Sequence, residues 1–133
     1  MSITLGFYKR RANLTHEQFA SHWTGIHGPL IRSIPDIGKY LFRYVQHHIV
    51  PEPGHEVPGG MEFDGFSEAW FYSVEGRDAL FALPFFQKEV IEDVARFIDM
   101  AATRLYLMDE QRTIIRGIDE TAAEWPLPSG AWR

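Results

Sequence analysis

Six side chains have the chemistry of proton-transfer groups. These candidates are His27, Tyr40, His47, His48, His55 and Glu68. A histidine exchanges its proton near neutral pH, whereas a carboxyl or phenol group does so when its surroundings shift its pKa. General acid/base catalysis uses these residue types. The sequence therefore favours proton-transfer chemistry and leaves open which of these groups share one site.

His27 lies within a predicted amphipathic helix. One apolar face of this helix is predicted to contain Phe19, Trp23, Ile26, His27 and Leu30, which recur at helical spacing. A single histidine on such a face is either a core residue with satisfied hydrogen bonds or a catalytic group. Gly28 and Pro29 follow directly and interrupt the regular turns. Because an irregular helix end exposes carbonyl groups that can fix one imidazole tautomer, we predict that His27 transfers a proton.

Tyr40 and Glu68 are the other predicted catalytic residues. Tyr40 begins the strand after this helix, where it would orient a substrate oxygen beside His27 or simply pack as a strand aromatic. Glu68 alternates with Trp70 on one face of the third predicted strand. Burial beside aromatic rings would raise the pKa of Glu68 and suit it to acid/base work, whereas a solvent-facing edge position is the alternative.

Aromatic residues make up 14% of the chain, which is enough to supply both a core and a ligand pocket. We predict that Trp23, Trp70, Phe42 and His55 contact the substrate. His55 lies in a loop rich in proline and glycine, which suits a lid residue or an ordinary surface residue. His47 and His48 are adjacent in a strand and therefore cannot both face one pocket.

Nothing in the sequence calls for a metal or another cofactor. The chain has no cysteine, so disulfides, thiolate nucleophiles and cysteine-ligated metals are excluded. His16, His22 and His27 form no i, i+4 pair, and the H-E-x-x-H motif is absent. No dinucleotide-binding, phosphate-binding or serine-hydrolase motif is present either. We therefore predict that no metal binds and that the chemistry uses no cofactor.

The hydrophobic pattern predicts the element order βαββαβ. The predicted strands cover 3–10, 38–50, 66–73 and 103–115, and helical regions begin near Thr15 and Val74. Thr15 and Gln18 have the spacing of a capping box. Pro84 interrupts the second helical region, and the stripe after it contains Phe86, Val90, Val94 and Phe97. This order is typical of a ferredoxin-like α+β fold, with helices on one face of a four-stranded antiparallel sheet.

Length and charge narrow the class of protein further. The chain has 133 residues and a net charge of −5, without the basic footprint of a nucleic-acid-binding protein. No apolar run approaches the roughly 20 residues of a membrane span, and the N-terminus does not resemble a secretory signal. We predict a cytoplasmic protein that binds a small molecule, with one domain at 1–116. A tail at 117–133 would pack through Trp125 and Trp132 on the body or on a partner subunit.

Three segments resemble the EthD-like family of dimeric α+β barrels. They are FYKRRANLTHEQFASHWTGIHGPL, DGFSEAWFYS and VIEDVARFIDMAATRLYLMDEQRTI, and they span most of residues 6 to 115. The first segment is the most specific, because Phe19, Trp23, His27 and Pro29 are all in place. The resemblance implies ferredoxin-like protomers that form a homodimer, with the two sheets face to face and the helices outside.

A related group in the same superfamily, the methylmuconolactone methylisomerases, implies a pocket formed by His27, Tyr40 and Trp70, with His55 as its loop histidine. The cysteine of that pocket has no counterpart here. Other relatives are polyketide dehydratases and cyclases, and proteins linked with ether-degrading monooxygenase operons. The expected function is a cofactor-independent lyase, dehydratase or isomerase acting on a small cyclic or aromatic metabolite. A cofactor-free oxygenase, a monooxygenase accessory protein and a non-catalytic binder are the alternatives.

Overall fold

Alternating apolar residues form four strands. The computed structural model places them at Ser2–Tyr8 (β1), Leu41–His48 (β2), Gly65–Phe71 (β3) and Arg104–Met108 (β4). The sheet order is β2-β3-β1-β4, and each neighbouring pair is antiparallel. This order is that of the split βαβ motif, so the predicted ferredoxin-like α+β fold is confirmed.

The structure describes residues 1–108, 111–115 and 117. Trp125 and Trp132 lie outside the described residues, so the packing of the tail and the domain boundary after residue 116 stay predictions. The fourth strand was predicted to run from 103 to 115, but residues 111–115 are not in a strand. The predicted strand is therefore too long at its C-terminal end.

The first helical region begins as the sequence predicts and then widens. Thr15 forms a capping box with Gln18 at the start of α1 (His16–His22). A π-helical segment, Trp23–His27, leads into α2 (Gly28–Arg32), and the Gly28 N–H donates to the carbonyl of Trp23. Pro29 has no N–H to continue the regular ladder, which accounts for the wider turn at this point.

This wider turn changes which residues share the buried face. Trp23 and His27 are buried, but Ile26 is 55% exposed, so it does not belong to the apolar face that regular helical spacing predicted. A π-helical turn brings residue i+4 closer to residue i than residue i+3. The π-helical segment therefore points His27 inward, directly after Trp23 along the same face.

The second helical region has the same construction. It comprises α3 (Val74–Ala82), a π-helical segment (Phe86–Val90) and α4 (Ile91–Phe97). Ser73 caps α3 through a hydrogen bond from the Gly76 N–H. Val90 and Phe97 are fully buried on the predicted apolar stripe. The two helical regions cover one face of the sheet, and the π-helical segment of the first packs against α4.

The two faces of the sheet differ in their surroundings. The helix-facing residues include Thr4, Gly6, Ser67, Ala69 and Phe71, which line a cavity together with helical residues. The alternate residues form what we call the outer face, which contains Phe7, His47, Phe66, Glu68, Trp70 and Tyr106. Their rings pack on one another, as in the stack of Phe7 on Phe66 and of His47 on Phe66.

A β-bulge changes the predicted alternation of β2. The register with β3 shifts between Leu41 and Arg43, so Phe42 is the extra residue. The ring of Phe42 packs against Trp70 and Tyr72 on the outer face, whereas Tyr44 lines the helix-facing cavity. Strict alternation along the strand would place Phe42 and Tyr44 on one face, and the bulge is the reason that they separate.

Candidate functional site

A cavity of about 320 Å³ lies between the helices and the sheet. Most of its wall is aliphatic or aromatic. The polar side chains that line it are Thr4, Tyr8, His27, Tyr44, Ser67, Gln87 and Thr103. Apolar walls with a few converging polar groups are typical of small-molecule sites. The cavity is therefore the candidate active site.

His27 is fixed in this cavity by a buried carboxylate. Its Nδ1 lies 2.9 Å from Oδ2 of Asp93, which is only 1% exposed. The other oxygen of Asp93 lies 2.9 Å from Nε2 of His22 and 3.4 Å from Arg96. A carboxylate accepts hydrogen bonds and cannot donate them, so Nδ1 of His27 carries the shared proton. The lone pair of neutral His27 is then on Nε2.

The protonation states follow from burial and from these hydrogen bonds. Burial lowers the pKa of His27 below its ordinary value, and the hydrogen bond and charge of Asp93 offset this only in part. Burial by itself would raise the pKa of Asp93, but the hydrogen bonds from His27 and His22 outweigh it and hold that pKa below its ordinary value. At neutral pH the pair is therefore an aspartate beside a neutral imidazole, which is the state that a general base requires.

Two structural features bring this pair together. The π-helical segment ends at His27 and turns its ring inward. Asp93 lies on α4 between Val90 and Val94, so it faces inward with the apolar stripe of that helix. Phe97, which is fully buried, packs against the rings of His22 and His27. Each imidazole orientation is thus determined by packing as well as by hydrogen bonds.

Two tyrosines add hydroxyl groups to the cavity. Burial raises the pKa of Tyr8, and it raises the pKa of Tyr44 to about 12. Both phenols therefore stay protonated at neutral pH and can donate hydrogen bonds. The Tyr8 hydroxyl lies 3.0 Å from the hydroxyl of Ser67.

Tyr40 and Trp23 do not line the cavity in the described part of the chain. Tyr40 ends the short 3₁₀ helix Ile37–Lys39 and packs against the core cluster of Ile34 and Phe71. Trp23 is buried between Tyr8, Phe19 and the backbone of Gly65. The expected position of Tyr40 beside His27 is not observed, and substrate roles for Tyr40 and Trp23 stay predictions.

The structure separates Glu68, Trp70 and Phe42 from His27. All three lie on the outer face, whereas Leu41, Ser67 and Ala69 beside them line the helix-facing cavity. One Glu68 oxygen accepts from the Trp70 indole, and the other is paired with His47. Burial raises the pKa of Glu68, but the hydrogen bonds from His47 and Trp70 reverse the shift and lower it. The prediction that the pKa of Glu68 is raised is therefore wrong, because His47 and Trp70 stabilise its carboxylate form.

The remaining histidines lie elsewhere. His55 is exposed in the loop between β2 and β3, 3.4 Å from Glu52. His47 stacks on Phe66 of the outer face, and His48 packs against Trp23 on the helix side. The prediction that His47 and His48 point to opposite sides is confirmed. His55 makes no contact with the His27 cavity within the described residues.

The sequence contained a signal for one residue that the predictions omitted. Asp93 is an acidic residue within an otherwise apolar helical stripe, and such a residue needs a buried partner. Tyr8 and Ser67 gave no such signal, because the alternation of a strand shows which residues share a face but not which of them line a pocket.

Among residues 1–108, 111–115 and 117, no group of three metal-ligating side chains is close enough to hold an ion.

Comparisons with known proteins agree with this fold. The family model described as the EthD domain matches residues 11–101. A Bacillus halodurans protein described as an EthD family protein has a similar structure, with 19% identity and a TM-score of 0.62. That comparison covers 84% of this chain and 100% of the other. No curated protein sequence matches the chain.

Two further solved structures share the architecture. A Bacteroides fragilis protein, described as dimeric, of unknown function and with a ferredoxin-like fold, is 10% identical with a TM-score of 0.59, over 82% of this chain and 95% of that one. SnoaB from Streptomyces nogalater, a cofactor-independent oxygenase, is 10% identical with a TM-score of 0.56, over 85% and 95%. At these identities the likeness shows the fold.

No helix within the described ranges combines the length and the apolar character needed to cross a membrane.

Proposed function

The chain belongs to the EthD family, and from that membership we propose that it is a cofactor-independent acid/base enzyme of the lyase, dehydratase or isomerase type. Its substrate would be a small cyclic or aromatic metabolite held in the cavity between helices and sheet. The observation that carries the proposal is His27, which lines this cavity with Nδ1 bound to the buried carboxylate of Asp93.

The proposed chemistry begins with proton removal by Nε2 of His27. The proton would come from a carbon next to a carbonyl group, and its electron pair would move to the carbonyl oxygen as an enolate. Asp93 would stabilise the imidazolium that results, because its charge is already directed at Nδ1. The imidazolium then returns the proton to another carbon in an isomerisation, or to a leaving hydroxyl in a dehydration. Each step balances without a cofactor.

A cofactor-free oxygenase is the second candidate. The similar fold of SnoaB, described as a cofactor-independent oxygenase, supports it. The same base would remove a phenolic or carbon-bound proton, and the electron-rich anion would react with dioxygen. This candidate predicts oxygen uptake, whereas a lyase or isomerase works equally well under nitrogen. Oxidation of dihydroxynaphthalene to hydroxynaphthoquinone, followed with an oxygen electrode, separates the two.

The test of the base uses a two-ring ketone rather than the unidentified substrate. In deuterium oxide, NMR follows the exchange of the hydrogens next to the carbonyl of tetralone in the presence of the protein. We expect His27→Gln to lower the protein-dependent rate by about a hundredfold or more. His55→Gln is the matched control, because His55 is 73% exposed and is not among the residues that line the cavity. Equal rates for wild type and His27→Gln would contradict the proposal.

Removal of metals gives a second readout. We propose that exchange needs no metal, so dialysis against a chelator should leave both the rate and the melting temperature unchanged.

The remaining alternative is a non-catalytic binder of an aromatic metabolite. It would be favoured if ligands bound to the protein but no protein-dependent reaction, neither exchange nor oxidation, could be detected.

A further inference from the structure

The hydroxyl groups of Tyr8 and Ser67 form a polar site on the sheet side of the cavity. Both residues line the cavity, and their oxygens are 3.0 Å apart. The base chemistry assigned to His27 and Asp93 does not use them. The pair, a buried serine hydroxyl and a partly buried phenol, shares one hydrogen bond and raises the question of what else it binds.

The position of the Tyr8 phenol depends on a glycine. A side chain on residue 6 would overlap the Tyr8 hydroxyl and the ring carbon that bears it. Gly6 therefore leaves the space in which the phenol lies back along β1. Gly6 is also the cross-strand partner of Ser67, so the phenol that lies over Gly6 reaches the Ser67 hydroxyl directly.

This pair keeps one hydrogen-bond donor free. Each hydroxyl has one proton, and either oxygen can be the donor in the bond between them. Whichever donates, the proton of the second hydroxyl remains available to a ligand. Tyr8 and Ser67 have no other hydrogen-bond partner for these hydroxyls within the described residues. Thr4, which also lines the cavity, adds a buried hydroxyl oxygen without a partner in the same part of the chain.

The cavity also limits the charge of its ligand. None of the described residues that line it is lysine, arginine, aspartate or glutamate. A carboxylate or phosphate on the ligand would lose its hydration there without gaining a cation. A neutral ring compound with a carbonyl or phenolic oxygen matches both the apolar wall and the free hydroxyl proton.

We propose that Tyr8 and Ser67 are the oxygen-binding end of the cavity, and that its ligands are neutral cyclic or aromatic molecules bearing a carbonyl or hydroxyl group. The inference deepens the proposed function, because it concerns the same cavity, but it is a statement about binding. His27 then acts on a molecule whose oxygen is held by the sheet.

The experiment compares three two-ring probes by protein-observed NMR titration: naphthol, naphthalene and naphthoate. We expect naphthol to bind about tenfold more tightly than naphthalene, since the free donor gains one hydrogen bond. Naphthoate should bind more weakly than naphthalene. The double substitution Tyr8→Phe/Ser67→Ala should remove most of the preference for naphthol over naphthalene, whereas each single variant keeps one hydroxyl with a free proton and should keep most of it. Tyr72→Phe is the matched control, because Tyr72 is 55% exposed on the outer face.

Each other outcome would overturn the inference. These outcomes are equal affinity for naphthol and naphthalene, tighter binding of naphthoate, failure of every probe to bind, or a naphthol preference that survives in the double variant. If the preference were lost in His27→Gln but kept in the double variant Tyr8→Phe/Ser67→Ala, the oxygen would bind at His27. That result would refute the binding role of Tyr8 and Ser67 while the base role of His27 stood. Conversely, a failed tetralone exchange with the naphthol preference intact would refute only the proposed function.

Discussion

Asp93 determines both the tautomer and the basicity of His27. Its two oxygens accept from His27 and His22, so the carboxylate holds two imidazoles at once. An amide in its place has a single acceptor oxygen and an NH₂ group that would face the N–H of one histidine. Replacing the Asp93 carboxylate by an amide therefore disturbs the orientation and basicity of the His27 imidazole. Asp93 acts through His27, since Asp93 itself is not among the residues that line the cavity.

We predict that Asp93→Asn lowers the rate of tetralone exchange by about a hundredfold. It should also move the pH midpoint of exchange. The neutral form of a base is active, so the rate rises with pH through the pKa of His27 and then levels off. Burial places this pKa below 6.5, and Asp93 raises it, so removal of the carboxylate moves the midpoint to lower pH.

The pH–rate profile separates this positioning role from a structural one. Asp78→Asn serves as the control, because Asp78 is 63% exposed and pairs with the neighbouring Arg77 on the surface. An Asp93→Asn protein that folds and keeps the wild-type midpoint would show that Asp93 does not control His27.

The sequence predicted only some of the residues that form the candidate site. The apolar helical face and Gly28-Pro29 singled out His27, which does line the cavity. The partner of His27 is 66 residues away along the chain, and no local pattern identifies a contact of that range. Glu68 and Trp70 were assigned to the same pocket because alternation shows which residues share a face but not which face the helices cover.

Among the secondary-structure elements, the contact between the π-helical segment and β3 depends on a missing side chain. The six-membered ring of Trp23 lies on the backbone of Gly65, where a Cβ atom would overlap the ring and approach the His47 carbonyl oxygen to 2.8 Å. Neither neighbour can move cheaply, since Trp23 is 1% exposed and the carbonyl belongs to the adjacent strand β2. The close packing of helix on sheet at this end of the molecule therefore requires glycine.

We predict that Gly65→Ala destabilises the protein by about 1–3 kcal/mol through overpacking. Gly25→Ala is the matched control, because a Cβ atom at Gly25 in the π-helical segment meets nothing within 4 Å. Alanine there should be neutral or should stabilise by up to about 1 kcal/mol, since it favours helix more than glycine. Urea unfolding followed by circular dichroism measures both changes. Equal stabilities of the two variants would contradict the packing explanation.

Helix starts that are marked by a local sequence motif were predicted more accurately than the β-bulge and the π-helical segments. The capping box of Thr15 and Gln18 forms as its spacing indicates. The β-bulge at Phe42 and the π-helical segments gave weaker signals, because each results from the fit between elements that are distant in the sequence. Gly28-Pro29 indicated an interruption near the right place, but not that the helix would widen before it and then continue.

At the scale of the whole molecule, both helical regions lie on one face of the sheet, and no helix among residues 1–108, 111–115 and 117 covers the outer face. Phe7 packs against Phe63, Phe66 and Tyr106 there, at centroid distances of 5.6, 5.4 and 5.9 Å. Tyr106 remains 51% exposed. An aromatic sheet face of this kind is unusual on a monomeric surface and typical of an interface.

We therefore predict a homodimer in which the outer faces of two protomers pack together. Light scattering at micromolar concentration should give twice the 15.4 kDa mass of one chain. Tyr106→Lys should shift the protein towards monomer, because it places a charge beside the Phe7 ring in the buried contact. Ile26→Lys is the matched control, since Ile26 is 55% exposed on the helix side. A monomeric wild type, or dissociation caused equally by both substitutions, would show that the outer face is not the interface.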